Sequence, residues 1–440
     1  MQVSTEKKEG VQHLLTVTVP AEDVKKAYDA SFRKYAKNAR IDGFRKGHIP
    51  TKVLEQQFGG QIYSDAYDSL VNETLGQAIK ESKLEVVGYP KIEVKKATFK
   101  NDEEFVYEAT VEVNPELELK PFEDLKLKSI KASVTDADVD NMIETLRKQQ
   151  GKWQVKDGAV VSKGTRASID FTGRTDGVEF EGGKASNFSL TVGETQMIPG
   201  FTEQIEGHKA GDKFTIQVKF PEDYHAENLK GKDAEFDIVV NSVSELSLPE
   251  VNEDFVKVFG VKDGSLDTFK KELRKNMERE LNRAQYTITR GKLFDALVAQ
   301  YGEFAVPEAY VEAEKERLAK NFEQQMRAYG MKKLPDSLKK DDMFNDEAVK
   351  SARLGAIVRK IVESLGLAKP SDEFVEAQLE QIAGAYEDPA ELKEQIRKDK
   401  TQFDAVQNAA LESEVVAKVM EKAADGEEEM TFDQLVNHRK

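Results

Sequence analysis

The apolar positions near the start of the chain first alternate with polar ones and then change to a helical spacing. Before Pro20 they recur with period two, which predicts a β-strand. The residues at this spacing are Val11, His13, Leu15, Val17 and Val19. After Pro20 the spacings become four, four and three residues, which predict an amphipathic helix. Its apolar face comprises Val24, Tyr28, Phe32 and Tyr35.

A second helical pattern follows residue 50, and two β-rich runs come after it. The first helical stretch is expected to break at Gly59-Gly60, because glycine weakens a helix, and a longer helix comes next. Residues 91–99 and 105–113 alternate well enough to pair as strands. Residues 1–114 therefore predict a small α+β domain.

Short alternating runs and frequent glycines distinguish the middle of the chain, from residue 161 to residue 243. One short helix is expected over residues 201–205, after Pro199-Gly200 and before Gly207. A mostly antiparallel sheet wrapped around this helix is the expected fold. The alternating residues are Ala167, Ile169 and Phe171; Phe188, Leu190 and Val192; Phe214, Ile216, Val218 and Phe220; and Phe236, Ile238 and Val240.

An arm and several helices are expected around this middle part. Residues 114–121 contain two prolines and alternating charge, which are typical of an extended connection. Thr135 is a predicted N-cap, with Asp136 and Asp138 favourable in the first helical turn. After residue 248 the pattern is helical up to an acidic tail at residues 426–429. Helix starts are predicted at Ser265, Pro307 and Ser371.

Composition limits the class of protein. The chain has 440 residues, which suits two to four domains, and it has no cysteine, which fits a reducing compartment. We expect neither a signal peptide nor a membrane span, because no apolar run is long enough, and hence a cytoplasmic protein. The formal net charge of −16 argues against a general nucleic-acid binder.

Positive charge is concentrated in one segment of this acidic chain. Residues 25–52 carry nine basic residues against two acidic ones. This imbalance favours contact with RNA through one end of the molecule only.

Eight residues of the basic segment read GFRKGHIP, starting at Gly43, and they predict an exposed loop. Gly43 and Gly47 permit sharp turns of the backbone. Such a loop can present Arg45, Lys46 and backbone N–H groups to phosphate, with Phe44 as an apolar anchor. The alternative is an ordinary basic surface turn.

This motif resembles the ribosome-docking signature of bacterial trigger factors, in which Gly-Phe-Arg-Lys-Gly precedes a basic residue, an aliphatic residue and proline. His48 occupies the basic position here. The resemblance, which extends over essentially the whole chain, implies docking on the large ribosomal subunit near the polypeptide exit tunnel, on ribosomal protein and RNA. The implied ribosome-binding residues are Gly43, Phe44, Arg45, Lys46 and Gly47.

Common enzyme motifs are mostly absent from the sequence. The five histidines include no HExxH pair. The stretch from Gly177 to Lys184 fails as a phosphate-binding loop, because Gly183 stands where lysine is required. His225 is most simply interpreted as a surface histidine. We therefore expect no nucleotide, metal or other cofactor.

The order of aromatic and small residues in the middle of the chain resembles that of the FK506-binding-type prolyl isomerases. Ile169-Asp170-Phe171-Thr172-Gly173 and Met197-Ile198-Pro199-Gly200-Phe201 carry most of this resemblance. Carried over by position, the implied pocket residues are Phe171, Phe180, Glu181, Phe188, Met197, Ile198, Phe201, Tyr224 and Phe236. Phe201 stands where tryptophan is usual, and Glu181 where aspartate is usual. From alternation alone, these aromatic residues form an ordinary small β core.

Methionine and aromatic residues cluster in a weakly helical part of the C-terminal region. Flexible surfaces of this kind suit the binding of unfolded chains, although amphipathic patterns usually belong to a core. The trigger-factor resemblance implies helical arms that hold nascent chains. The candidate client-binding residues are Phe322, Met326, Tyr329, Met331, Met343 and Phe344.

The combined expectation is a multidomain α+β protein. Residues 1–114 form an N-terminal α+β ribosome-binding domain, and residues 115–150 form a linker arm and a helix that pack with the C-terminal body. Residues 151–246 form an FKBP-like antiparallel β-sheet wrapped on one short helix. Residues 247–440 complete a discontinuous all-α body with client-binding arms.

Three functions fit the sequence. The trigger-factor resemblance favours an ATP-independent, ribosome-associated chaperone that binds nascent chains and isomerises X–Pro bonds, with roles in the cell cycle and cell division. A prolyl isomerase with substrate-recruiting domains and a ribosome-assembly RNA-binding factor are the alternatives. We also expect a weak homodimer off the ribosome, because a wide apolar surface would be exposed there.

Overall fold

The structure is a computed structural model that describes residues 1–96, 103–193, 197–224, 226–328, 330, 343–384, 386 and 388–437. The chain forms two compact units. The first comprises Met1–Lys131 and Gln285–Glu429, and the second comprises Ala132–Ala284 and the chain from Met430 onwards. Within the described ranges, every helix is too short or too polar to cross a lipid bilayer.

The first unit begins with a four-stranded antiparallel sheet and two helices. In chain order the elements are β1 (Gln2–Lys7), β2 (Gln12–Val19), α1 (Ala21–Asn38), α2 (Thr51–Ser82), β3 (Val86–Lys96) and β4 (Phe105–Val113). The strand order is β1-β2-β4-β3. Alternation along β2 and β4 directs their apolar side chains to one face. On that face Leu15, Val17 and Tyr107 are buried in one cluster with Leu70 of α2.

Helix α2 is continuous, so the break predicted at Gly59-Gly60 is wrong. A Cβ at either glycine would meet only open space. Each glycine costs about 1 kcal/mol relative to alanine. Leu54 and Ile62, on either side of the pair, are fully buried in one cluster with Tyr28 of α1. Burying these two side chains is worth about 3–6 kcal/mol, which is enough to continue the helix through the glycines.

A 3₁₀ turn (Phe122–Leu125) and strand β5 (Leu127–Lys131) lead into the second unit. Its elements are α3 (Asp136–Gln149), β6 (Lys152–Val155), β7 (Arg166–Thr175), β8 (Val178–Thr191), α4 (Phe201–Ile205), β9 (Lys213–Lys219), β10 (Asp233–Ser247), α5 (Glu253–Val258) and the first part of α6 (Leu266–Tyr301). The strands pair antiparallel in the order β6-β10-β7-β8, and β9 also pairs with β10. Helix α4 lies at the predicted residues and buries Phe201 and Ile205 in the core of this sheet.

Helix α3 begins at its predicted N-cap. The Thr135 hydroxyl accepts the Asp138 N–H at 3.2 Å, and the Asp138 carboxylate accepts the Thr135 N–H at 2.8 Å. This reciprocal pair satisfies two backbone donors that the helix itself cannot. Asp140 on α3 forms an ion pair with Lys270 of α6 at 2.8 Å.

The C-terminal part of the first unit is mainly helical. It contains the rest of α6, α7 (Glu308–Ala328), α8 (Asn345–Leu365), α9 (Asp372–Ala383), α10 (Pro389–Lys398) and α11 (Lys400–Ala423). Phe122 of the 3₁₀ turn lies in one buried cluster with Leu293 of α6, Ile361 of α8 and Val415 of α11. The segment before β5 therefore packs on helices that come much later in the sequence.

An additional strand, β11 (Ala424–Glu429), pairs in parallel with β5, where the sequence predicts only an acidic tail. Two lysines offset the repulsion between its carboxylates. Glu427 lies 3.0 Å from Lys131, and Glu428 lies 2.7 Å from Lys292. A short helix, α12 (Phe432–Asn437), follows.

A polar junction joins the end of β4 to α7 and α8. The Tyr310 hydroxyl donates to Asn114 Oδ1 at 2.8 Å and accepts from Arg359 at 2.5 Å. The Arg359 guanidinium also lies 4.8 Å from the Tyr310 ring centroid, which adds a cation–π contact. Close by, a Cβ on Gly88 would come within 2.8 Å of the Ala309 side chain. The N-terminal sheet and α7 are therefore in direct contact.

The predicted multidomain α+β fold class is confirmed, with the strand pair β5–β11 added to the helical body. The domain boundaries at residues 114, 150 and 246 stay predictions.

Candidate functional sites: an aromatic pocket and a basic loop

Four phenylalanines from β7, β8, α4 and β10 meet in the second unit. The Phe171 ring centroid lies 5.6 Å from that of Phe188, 6.0 Å from Phe201 and 5.9 Å from Phe236. The first two pairs are nearly perpendicular, at 85° and 81°, which is the favoured edge-to-face arrangement. Alternation along the strands and the single short helix thus bring distant aromatic residues into one cluster.

Phe180 and Tyr224 join this cluster through a residue that the sequence analysis does not assign to the site. Phe180 lies 5.9 Å from Phe236 and 5.7 Å from Phe220, and Phe220 lies 4.7 Å from Tyr224. Phe220 is buried and connects the two. Its signal in the sequence is its place at the end of an alternating run, which predicts a core position and nothing more.

Two glycines make room for the Phe180 ring. A Cβ on Gly173 would lie 2.5 Å from Phe236 Cε1 and 2.8 Å from Phe180 Cζ. A Cβ on Gly183 would lie 2.7 Å from Phe180 Cε2. The space beside the ring therefore depends on the absence of side chains at these positions.

Three of the four remaining predicted pocket residues pack against the cluster. Met197, Ile198 and Tyr224 are half-buried against the same core, whereas Glu181 is exposed. The Ile198 carbonyl accepts the Phe201 N–H at 3.0 Å and so begins α4. Among the described residues, the Ile198 N–H has no hydrogen-bond partner. His225, which lies beside Tyr224 in sequence, is outside the described residues.

Polar side chains link the strands that carry the aromatic cluster. Asp237 of β10 accepts from Thr215 of β9 at 2.8 Å and from Arg174 of β7 at 2.7 Å. These bonds, the Thr215 bond most of all, hold the pKa of Asp237 below its usual value. The Asp237 carboxylate thus links β7, β9 and β10, and Asp237 directly follows Phe236 in the sequence.

A second carboxylate joins β7, β8 and β10. Asp170 accepts the Asn187 backbone N–H and the Asn241 side-chain amide, each at 2.7 Å. The Asn187 bond contributes most to lowering the pKa of Asp170. Since Asp170 and Asn187 immediately precede Phe171 and Phe188, these bonds position two rings of the aromatic cluster.

The GFRKG loop lies between α1 and α2 and faces solvent. Phe44 is 42% exposed, and Arg45 and Lys46 are exposed as well. Gly43 and Gly47 have φ values of 89° and 79°, which favour glycine. Two hydrogen bonds shape the turns, from the Phe44 N–H to the Ile41 carbonyl at 3.1 Å and from the His48 N–H to the Arg45 carbonyl at 2.9 Å.

An aromatic cluster between α1 and α2 supports the base of this loop. Ile49 packs there with Tyr35 and Phe58, whose ring centroids are 5.8 Å apart. Tyr28 is also buried in the cluster, and burial, with the neighbouring Glu55 carboxylate, raises the pKa of Tyr28 to about 12. The exposed loop is thus held at its base by packed side chains of α1 and α2.

The candidate client-binding residues are partly brought together. The ring centroids of Phe322 on α7 and Phe344 lie 5.8 Å apart, and Met343 beside Phe344 is 43% exposed. Met326, one turn after Phe322, is half-buried. Tyr329 and Met331 are outside the described residues.

Comparison with known proteins agrees with these features. Residues 158–241 match the family model of FKBP-type peptidyl-prolyl cis-trans isomerase, so the second unit contains an isomerase domain of this type. Residues 1–146 match the bacterial trigger factor protein model, and residues 265–421 match that of the bacterial trigger factor C-terminus. Because these two models together match more than half of the chain, the chain belongs to the bacterial trigger factor family. It is therefore a ribosome-associated molecular chaperone that carries a peptidyl-prolyl isomerase.

One similar solved structure is that of a trigger factor chaperone, described as showing promiscuous substrate recognition in folding and assembly activities. The two chains are 18% identical, with a TM-score of 0.45. The match covers 96% of this chain and 100% of the other. At this TM-score the likeness adds nothing to the family assignment, which rests on the family models.

Proposed function

We propose that the GFRKG loop attaches this chaperone to the large ribosomal subunit beside the exit of the polypeptide tunnel. Phe44 supplies an apolar contact, and Arg45 and Lys46 supply charge-assisted hydrogen bonds to ribosomal RNA or protein. The observation that carries the proposal is the exposure of these three side chains on a loop with a packed base.

For the aromatic pocket, we propose that it holds the proline ring of an X–Pro substrate. The edge-to-face phenylalanines provide a dry surface. The Ile198 N–H, which has no partner among the described residues, and the Tyr224 O–H donate to substrate carbonyl oxygens. Rotation about a peptide bond has a barrier of about 18–20 kcal/mol in water. Removing water and holding the ring favour the twisted amide, which has lost conjugation, so the reaction needs no nucleophile.

Apolar residues of the helical body are proposed to shield unfolded clients without ATP. Phe322, Met326, Met343 and Phe344 support this role, because partly exposed methionine and aromatic side chains adapt to many sequences. We further propose a weak homodimer off the ribosome and a cytoplasmic location. The implied roles in the cell cycle and cell division stay predictions.

The test is co-sedimentation of the full chain with purified ribosomes after replacing Phe44, Arg45 and Lys46 by alanine. We expect binding to fall at least tenfold, while turnover of an X–Pro peptide persists. A matched control replaces Tyr89, Lys25 and Lys80, an exposed ring and two exposed cations of the same domain. Loss of binding in both variants, or in neither, contradicts the assignment of the loop.

Three further outcomes separate the alternatives. If the loop variant lost isomerase turnover equally, loop and pocket would not act independently. If suppression of client aggregation stopped whenever Phe236 was replaced by alanine, the protein would act as an isomerase first. Retained ribosome binding with no measurable client binding would favour an assembly factor.

A further inference from the structure

A second basic surface lies on helix α1, apart from the GFRKG loop. Arg33 and Lys37 are one helical turn apart and therefore share a face. Arg40 follows two residues after the helix ends. All three side chains are exposed, and among the described residues none has an ion-pair or hydrogen-bond partner. We call Arg33, Lys37 and Arg40 the α1 basic strip.

Two other cations on the same helix, Lys26 and Lys34, are neutralised within the protein. Lys26 forms ion pairs with Glu22 at 2.9 Å and Asp23 at 3.2 Å. Lys34 pairs with Asp65 of α2 at 3.2 Å. After Asp29, however, helix α1 contains no further carboxylate. Uncompensated positive charge therefore accumulates at the end of the helix nearest the loop, whereas Lys25 is a single exposed cation near the start of the helix.

We propose that the α1 basic strip binds phosphate groups of ribosomal RNA, as a contact separate from that of the GFRKG loop. This inference rests on the proposed function, because the loop brings the strip to the ribosome. Arg33 lies about 8 Å along the helix axis from the end of α1, so strip and loop reach one surface together.

The chemistry of the strip favours RNA over ribosomal protein. Protein interfaces are usually anchored by buried aromatic or aliphatic residues, a role that Phe44 can fill in the loop. The strip offers only cations, and two of them, Arg33 and Lys37, lie one turn apart on one helix face, a spacing that suits the regular charge of a phosphate backbone. Guanidinium groups also bind phosphate through two parallel hydrogen bonds.

Salt dependence provides the test. Each phosphate contact contributes about 0.7–0.9 to the slope of log affinity against log salt concentration, through counterion release. The full chain carrying Arg33→Gln and Lys37→Gln should therefore lose about 1.4–1.8 of the slope measured with purified large ribosomal subunits. When the salt concentration rises from 50 to 200 mM, the factor by which its affinity falls should be roughly tenfold smaller than the factor for the wild type.

The matched control is Lys25→Gln with Lys80→Gln, which removes two exposed cations of the same domain outside the strip. This control should keep the wild-type slope. Arg33→Lys with Lys37→Arg should also keep it, since both charges remain. An unchanged slope in the Gln variant, or an equal loss in the control, overturns the proposal.

A photoreactive residue at position 37 identifies the partner. After irradiation with large ribosomal subunits, the cross-linked product should be removed by ribonuclease. A product that resists ribonuclease and contains a ribosomal protein overturns the assignment to RNA.

The alanine variant of Phe44, Arg45 and Lys46 keeps the two proposals distinguishable. If it binds normally, the proposed loop function fails; if it binds weakly while the strip variant keeps its slope, the strip proposal alone fails.

Discussion

Replacing Gly173 by alanine should displace the Phe180 or Phe236 ring of the proposed isomerase pocket. The new Cβ would lie 2.5 Å from Phe236 Cε1 and 2.8 Å from Phe180 Cζ, distances at which at least one ring must move. Overpacking of this kind typically costs about 1–3 kcal/mol. A displacement of about 1 Å in a binding site can lower turnover about a hundredfold.

Two measurements on the full chain test this prediction. The single tryptophan, Trp153, lies on β6 of the same unit and reports its unfolding in urea. With a denaturant slope of about 1–3 kcal/mol per molar, a cost of about 2 kcal/mol lowers the midpoint by roughly 1 M. In conditions where the variant remains folded, kcat/KM for an X–Pro peptide should fall at least tenfold.

A glycine with free space around it provides the control. Gly76 lies inside α2, where a Cβ would meet nothing, so Gly76→Ala should stabilise the helix by about 1 kcal/mol and leave turnover unchanged. If Gly173→Ala kept both the wild-type midpoint and the wild-type turnover, Phe180 and Phe236 would not pack over this residue as described.

Two further predictions concern the junction and the acid stability of the isomerase domain. Tyr310→Phe removes a hydroxyl bonded to Arg359 and should lower the stability by about 1 kcal/mol, which faster hydrogen exchange in the first turn of α7 would show. The control is Tyr89→Phe, at an exposed ring. Equal exchange in the two variants would contradict the prediction. The hydrogen bond from Asn187 lowers the pKa of Asp170, so its stabilisation is present above the usual aspartate pKa near 4 and is lost as pH falls through the lower folded value. The urea midpoint should therefore drop less steeply below about pH 4 in Asp170→Asn than in the wild type, and parallel curves would rule this out.

Local patterns in the sequence predicted the elements whose formation depends on local physics. Helix α4 lies at the expected residues 201–205, because glycines bound it on either side. Thr135 caps α3, because its hydroxyl and the Asp138 carboxylate are three residues apart. For the pocket, family resemblance selected the residues, and the structure brings Phe171, Phe201 and Phe236 into ring contact. Their catalytic roles stay predictions.

Features that depend on distant contacts could not be predicted in this way. Gly59-Gly60 weakens a helix locally, but the burial of Leu54 and Ile62 against α1 decides the outcome. Strand β11 has an acidic sequence with low strand propensity, and only its pairing with β5 makes it a strand. The role of Gly173 likewise becomes evident only when Phe180 and Phe236 are in place.

The cluster that joins Phe122 to Val415 affects how this chaperone is itself synthesised. The two residues are separated by nearly the whole later part of the chain. At about 5–20 residues per second, translation from one to the other takes roughly 15–60 s. Until then the buried cluster around Phe122 stays incomplete, because it lacks Val415. During its own synthesis, this chaperone is therefore itself an unfinished chain with exposed apolar residues.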